Sequence, residues 1–450
     1  MATRKLTRRQ AITAASAGAL GTFVNWSFPS ITINGTSQQK LAINGGEKVH
    51  TGTWPDWPVW DQAAEKNITE MLRTGRWWRG EGEHVEDFEK RYAALLGAKR
   101  CLATASGTTA LITALKAVGV DAGDEVLVSP FTFIASYNVI FMNKALPVFV
   151  DSDPETFLMD PSKIEARITD RATAIVPVHI YGLPVDMDKV NAIAKKHNLK
   201  VVEDACQAWL GEYKGKKAGT LGDAGCFSFQ NSKNLPAGEG GAIVSNNDSL
   251  IDKCTSLHNC GRPFGSVPRT SAYPISGTNF RMQQFQALIL MSQMNRIQKD
   301  ADIRLANALY LDANLKDIPG ITPAKLVDGN ARSAYHLYAL RYNSKEFNDI
   351  SKERFIRALA AEGIPCSGGY GPQNKDGLID EQLNSKGFKR LFSEARLKQW
   401  REENVLPGND KLCSEAVTFY QSILLGSRSD MEDIVKAIRK IWQNRDSLKA

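Results

Sequence analysis

The sequence predicts an α/β fold with a mainly parallel central sheet and a smaller C-terminal α+β unit. Two observations predict the sheet. Short apolar runs alternate with helical patterns from residue 100 to residue 245, and that alternation is the mark of βαβ units. The runs are also apolar throughout, as strands are when both faces are buried. A third observation predicts the smaller unit: beyond residue 300 the regular alternation stops.

Taken in order, residues 1–40 read as a signal and linker. Arg4, Lys5, Arg8 and Arg9 stand in the first thirty residues without an acid. Arg8-Arg9 then leads into a weakly apolar stretch of small residues over 11–24. Fourteen residues are too few for a membrane helix, which needs about 20. A charged segment followed by a short apolar one is the layout of a twin-arginine export signal, so the chain is expected to be exported; the alternative is an amphipathic or frayed start on a cytoplasmic protein. No clear A-x-A cleavage site follows. Residues 26–60 read as an irregular arm, and helices are predicted over 61–73 and 85–96.

Strands are predicted over 100–105, 125–129, 147–150, 174–180, 200–203, 225–229 and 241–245. The helices between them are placed at 108–118, 133–143, 161–168 and 186–197. Asp160 and Pro161 suit the N-cap and first position of the third of these. A long helix over 282–297 closes a large domain, residues 41–298. The smaller domain, 299–450, carries a strand at 335–342 and helices at 353–362 and 429–444. The polar, Gly-containing stretch 372–389 reads as a loop.

Composition excludes some partners. Apolar residues make up 43% of the 450 and charged residues 23%, ordinary values for a globular protein. The net charge is +7, more than half of it from the four cations of the N-terminus. The rest is too weak and dispersed for a nucleic-acid surface. Seven cysteines, odd in number and without a C-x-x-C spacing, read as small buried hydrophobes, with no zinc or other metal site expected.

Three strand ends carry chemistry. Strand 225–229 runs into Gln230-Asn231-Ser232-Lys233-Asn234 and then the turn Gly238-Glu239-Gly240-Gly241. A lysine desolvated in the mouth of a sheet becomes nucleophilic; alone, Lys233 reads better as an ordinary surface residue beside a turn. Strand 200–203 ends in Glu203-Asp204, at the sheet edge where α/β sites form. Asp204 suits the partner of a pyridinium nitrogen, which keeps a cofactor ring electron-accepting; the plainer reading is a helix N-cap. Gln207, three residues on, can reach the 3-oxygen side of such a ring. Strand 100–105 leads into Ser106-Gly107-Thr108-Thr109 at a helix start, where amides and hydroxyls bind phosphate; Ser106 or Thr108 can also simply cap the helix. Together the three elements supply a phosphate cradle, a pyridinium partner and a Schiff-base lysine. Pro130-Phe131-Thr132-Phe133 follows a fourth strand end, with Phe131 better read as core.

These motifs resemble the DegT/StrS-type sugar aminotransferases, a fold-type-I pyridoxal 5'-phosphate family, from about residue 41 to residue 441. The resemblance implies pyridoxal phosphate as cofactor, joined to Lys233 and paired through its ring nitrogen with Asp204. It implies ring contact by Gln207, stacking by Phe133, and phosphate binding by Gly107, Thr108, Thr109 and Ser228. The segment Thr278-Asn279-Phe280-Arg281-Met282 is similar to one through which a partner subunit lends an Asn, so Asn279 is expected to act in trans in a homodimer. Lys233 favours transamination, because the family's dehydratases carry a histidine there. Residues 229–233 and 258–262 look most like the branch with glutamine:scyllo-inosose aminotransferases and aminohydroxybenzoate synthase. That implies glutamine or glutamate as donor and a keto-sugar or cyclitol-like ketone as acceptor. Pro236, in the turn after the lysine, departs from the common family pattern. A non-catalytic or regulatory cofactor-binding homologue, or a pyridoxal-phosphate-dependent sugar dehydratase, is the competing expectation.

Overall fold

The computed structural model describes residues 40–327 and 331–448. The N-terminal stretch with Arg8-Arg9 lies outside them. The central sheet has seven strands: β1 (Arg100–Thr104), β2 (Glu125–Val128), β3 (Leu146–Phe149), β4 (Ala172–Val176), β5 (Lys200–Asp204), β8 (Ala224–Ser228) and β9 (Gly241–Ser245). A two-stranded ribbon, β6 (Glu212–Tyr213) and β7 (Lys216–Lys217), separates β5 from β8. The sheet order is β1-β9-β8-β5-β4-β2-β3. Pairing is parallel from β8 to β3 and antiparallel on both sides of β9, so β9 alone runs against the others. Strands β2, β3, β8 and β9 are buried at every position, which is why their sequences show no polar alternation.

Helices α1 (Gln62–Thr74), α2 (His84–Leu96), α3 (Gly107–Val118), α4 (Ala135–Met142), α5 (Met187–Lys196), α6 (Asp248–His258) and α7 (Gln284–Met294) belong to this part of the chain. The long α8 (Ile297–Leu315) leads to a three-stranded antiparallel sheet of β10 (Ile321–Pro323), β11 (Leu337–Tyr342) and β12 (Ala416–Tyr420). Helices α9 (Lys352–Ala361) and α14 (Arg428–Gln443) share its core, through residues such as Phe355, Leu359, Ile434 and Ile438.

Two expected elements differ. Residues 161–168 form two 3-10 turns, Pro161–Lys163 and Glu165–Arg167. Asp160 does cap the first by accepting from the Ser162 amide at 3.0 Å. Only Ile164 of the stretch is buried, too small an apolar face to propagate a helix. The stretch 372–389 is not a loop: it holds α10 (Gly377–Asn384) and the start of α11 (Lys386–Leu391), followed by α12 (Glu394–Glu403) and α13 (Pro407–Glu415). Ile379, Leu383, Phe388 and Trp400 pack into the core of the central sheet, where Trp400 also donates its indole N–H to Pro147 O at 2.7 Å.

Among the described residues no helix is long and apolar enough to cross a membrane. Cys101, Cys226 and Cys254 are buried, and Cys206, Cys260, Cys366 and Cys413 are half-buried.

Candidate active site

The carboxyl ends of β5 and β8 and the amino end of α3 meet around one cavity of about 420 Å³, the size of a small-ligand site. Gly107, Thr108, Phe133, Asp204, Gln207, Ser228 and Lys233 all line it.

At one end lies α3. Ser106 caps it, its hydroxyl accepting from the Thr109 amide at 3.1 Å, while the Thr109 hydroxyl accepts from the Ser106 amide at 2.9 Å. This capping box commits Thr109 to the helix end, and Thr109 is not among the cavity-lining residues. The amides of Gly107 and Thr108 are first-turn donors without an intrahelical partner. Helix geometry points them, with the positive end of the helix dipole, toward an anion. Gly107 is needed for the approach: a Cβ there would stand 2.7 Å from Ser228 Cβ and 2.9 Å from Cys206 Sγ.

Asp204 lies on the buried floor. No α-helix follows it, so the capping alternative does not hold; its Oδ1 instead accepts from the Cys206 amide at 3.1 Å. Its Oδ2 accepts from Ser136 Oγ at 2.6 Å, and Ser136 is within 2.7 Å of Thr132 Oγ1. With the Ser136 hydrogen given to Asp204, Thr132 must donate to Ser136. The neighbouring Glu203 is spent on structure. It accepts from His179 Nε2 at 2.8 Å and from the amides of Gly219, Leu221 and Gly222 at 2.7, 2.6 and 2.6 Å.

Lys233 sits in the loop joining β8 to β9. The loop is closed by Phe229 N to Gly240 O and Asn231 N to Gly238 O, both 2.8 Å. Lys233 O accepts from Trp57 Nε1 at 3.0 Å, and Ser232 O from Tyr420 Oη at 2.7 Å. Burial lowers the pKa of its ammonium, against the pull of the nearby Asp204 carboxylate, which favours a neutral amine.

Gln207 is held from both sides: its Oε1 accepts from the Tyr181 amide at 3.0 Å and its Nε2 donates to Tyr370 Oη at 3.0 Å. Phe133 is 55% exposed at the cavity. Phe131 is fully buried, edge-on to Tyr181 and Tyr370. Asn279 stands apart from the cavity lining, exposed, in a segment bridged to Asn259.

Sequence reasoning missed Ser136, His336 and Tyr370. Ser136 had a signal, since it lies three residues after Phe133 at the start of α4. Tyr370 had none. It arrives on a segment paired to β12 through Ser367 and Thr418.

These residues fit pyridoxal phosphate. The close approach at Gly107 leaves room and free donors for a phosphate. Asp204 offers a carboxylate for the ring nitrogen, and Lys233 an amine depressed by burial.

Comparison with known proteins agrees. Residues 59–418 match the model of the DegT/DnrJ/EryC1/StrS aminotransferase family. The chain is 34% identical over 426 residues to L-glutamine:2-deoxy-scyllo-inosose aminotransferase from Streptoalloteichus tenebrarius, covering 91% of this chain and 99% of that one. It is 31% identical over 420 residues to L-glutamine:scyllo-inosose aminotransferase from Streptomyces griseus, covering 90% and 98%. A crystal structure of 3-amino-5-hydroxybenzoic acid synthase superposes with a TM-score of 0.76 at 30% identity, covering 86% of this chain and 97% of that one. The chain therefore belongs to the DegT/DnrJ/EryC1/StrS aminotransferase family and is a pyridoxal-phosphate-dependent aminotransferase.

Proposed function

We propose that this enzyme transfers the α-amino group of glutamine to an uncharged keto-cyclitol, with glutamate as the alternative donor. The observation that carries the acceptor class is the cavity wall. Around Lys233 it presents Gln230, Ser232, His336, Tyr370 and Phe133, with Glu239 as the further charged group beside Asp204. Neutral polar groups and aromatic faces suit a polyhydroxylated ring, and carboxylates disfavour an anionic diphosphate. The names of the relatives support the same class.

Bound pyridoxal phosphate supplies the electron sink for amino-group transfer. The chain's own residues do the rest. Asp204 holds the proton on the ring nitrogen, and Ser136 and the Cys206 amide hold Asp204. Gly107, Thr108 and Ser228 bind the phosphate; Gln207 contacts the ring and Phe133 stacks on it. Lys233 would anchor the group, and its Nζ would move the proton at the substrate α-carbon. A ketone panel, assayed on purified holoenzyme with glutamine and with glutamate, tests the reading. Turnover of inosose-type ketones is expected, and turnover of nucleotide-linked keto-sugars alone would overturn it.

Two further parts belong to this reading. The enzyme works as a homodimer in which Asn279 serves the other subunit's phosphate site. Supporting this, Asn279 is exposed away from its own cavity, and the large side chains Trp60, Trp77 and Trp78 are exposed, an apolar surface of the kind a partner covers. The enzyme is also exported already folded, on the strength of Arg8-Arg9 and the short apolar stretch after it.

A further inference from the structure

We propose that His336 is a substrate-recognition residue whose Nε2 accepts a hydrogen bond from a secondary hydroxyl of the ketone bound beside Lys233. The inference rests on the reading of the acceptor as a cyclic polyol ketone. Its starting point is Asn234, whose Nδ2 donates to Ala334 O at 2.9 Å. That fixes the amide, so Asn234 Oδ1 is the atom 3.2 Å from His336 Nδ1. An amide oxygen only accepts, so Nδ1 carries the hydrogen and the lone pair lies on Nε2. None of the described hydrogen bonds uses Nε2.

The surroundings hold this state in place. His336 is 5% exposed and lines the cavity. Its ring meets Trp209 edge-on, with centroids 5.8 Å apart, and the same indole lies 6.0 Å from Lys233 Nζ. Burial above all pushes the imidazole pKa well below its usual value, so the ring stays neutral. Nε2 is open to the cavity; once a bound ligand excludes water, a ligand hydroxyl that donates to it keeps the acceptor paired, and a ligand lacking that hydroxyl leaves it unpaired. A ring bearing several hydroxyls supplies one; the hydroxyl at a single ring position is the group selected.

The test uses ¹⁵N-histidine-labelled holoenzyme, with the His336 signal assigned by its loss in His336→Phe and His336→Gln. At pH 7 the signal should show hydrogen on Nδ1 and a bare Nε2. Saturation with scyllo-inosose or its amine product should shift Nε2 in the direction of hydrogen-bond acceptance. An Nε2 unmoved by a ligand that binds overturns the proposal. Kinetics on mono-deoxy ketones give the second arm. Removing one particular hydroxyl should raise the wild-type KM roughly tenfold, the size of one net hydrogen bond. His336→Phe should erase that difference with kcat little changed, and His336→Gln should restore part of it. An identical deoxy pattern in wild type and His336→Phe also overturns it. If wild type turns over no cyclitol ketone, the functional reading falls; the same spectrum recorded with the ketone it does accept then decides His336.

Discussion

Ser136 donates its hydroxyl to Asp204 Oδ2 at 2.6 Å, and so ties the start of α4 to the end of β5 on the cavity floor. Thr132 backs Ser136 in turn. Removing the serine hydroxyl leaves the carboxylate one donor short without removing its charge. Ser136→Ala should therefore lower kcat by roughly tenfold, the worth of one hydrogen bond to a charged group. Asp204→Asn should lower it by roughly 100-fold or more, as loss of a preorganised charge does. Steady-state kinetics on both variants check the order, and equal effects would contradict it.

Gly107→Ala tests the phosphate cradle. Its new Cβ would lie 2.7 Å from Ser228 Cβ, so the helix start or the strand end must shift. Overpacking of this kind costs about 1–3 kcal/mol. Cofactor affinity, read by absorbance titration, should fall at least about tenfold, while the far-ultraviolet circular dichroism stays that of the wild type.

Much of this site was legible because its parts sit where apolar runs end. Ser106-Gly107-Thr108, Asp204, and Ser228 with Lys233 each follow a strand whose continuous apolar pattern marks it plainly, and a mainly parallel sheet gathers such ends on one edge. His336 and Tyr370 come from beyond residue 300, and tertiary packing alone brings them in. The helices at Gly377–Asn384 and Lys386–Leu391 were hidden by polar residues, although Ile379, Leu383, Phe388 and Phe392 are spaced four or five apart, a helical signal. Thr109 shows the opposite case: a residue of the right type at the right place is turned to capping by its neighbour.

Glu203 predicts a structural effect beside a catalytic one. It is fully buried and accepts from four donors. His179 Nδ1 accepts from the Val185 amide at 3.0 Å, so Nε2 carries the hydrogen that Glu203 receives. Glu203→Gln turns an amide NH2 toward those donors. Unfolding in urea should show a loss of roughly 1–3 kcal/mol, the cost of leaving a buried donor unpaired.

His258 predicts the acid side of the stability profile. Burial, helped by the adjacent Arg79 cation, lowers its pKa to about 3. Its Nδ1 is 2.6 Å from Thr255 O and its Nε2 is 3.4 Å from Arg79. The unfolded chain binds this proton below the usual histidine pKa of about 6.5 and the folded chain does not. Stability therefore falls as pH drops from about 6.5 toward 3. Between pH 6.5 and pH 5 the loss from this group is roughly 2 kcal/mol. Urea midpoints of wild type and His258→Gln should converge as the pH is lowered through that window.

Export is tested outside the enzyme's chemistry. Residues 1–40 fused to a reporter active only after folded export should carry it out of the cytoplasm. Arg8→Lys with Arg9→Lys should abolish the signal. A reporter retained by the intact leader would contradict the proposal.

The central claim is that Lys233 and Asp204 carry amino-group transfer from glutamine to a cyclic ketone. Its most direct test follows the nitrogen. Holoenzyme is incubated with glutamine labelled with ¹⁵N at the α-amino group and with scyllo-inosose, and the product is weighed by mass spectrometry. Wild type should place the label in the cyclitol amine, and Lys233→Ala should place none. Labelled product formed at full rate by Lys233→Ala, or no labelled amine from wild type, would contradict the account.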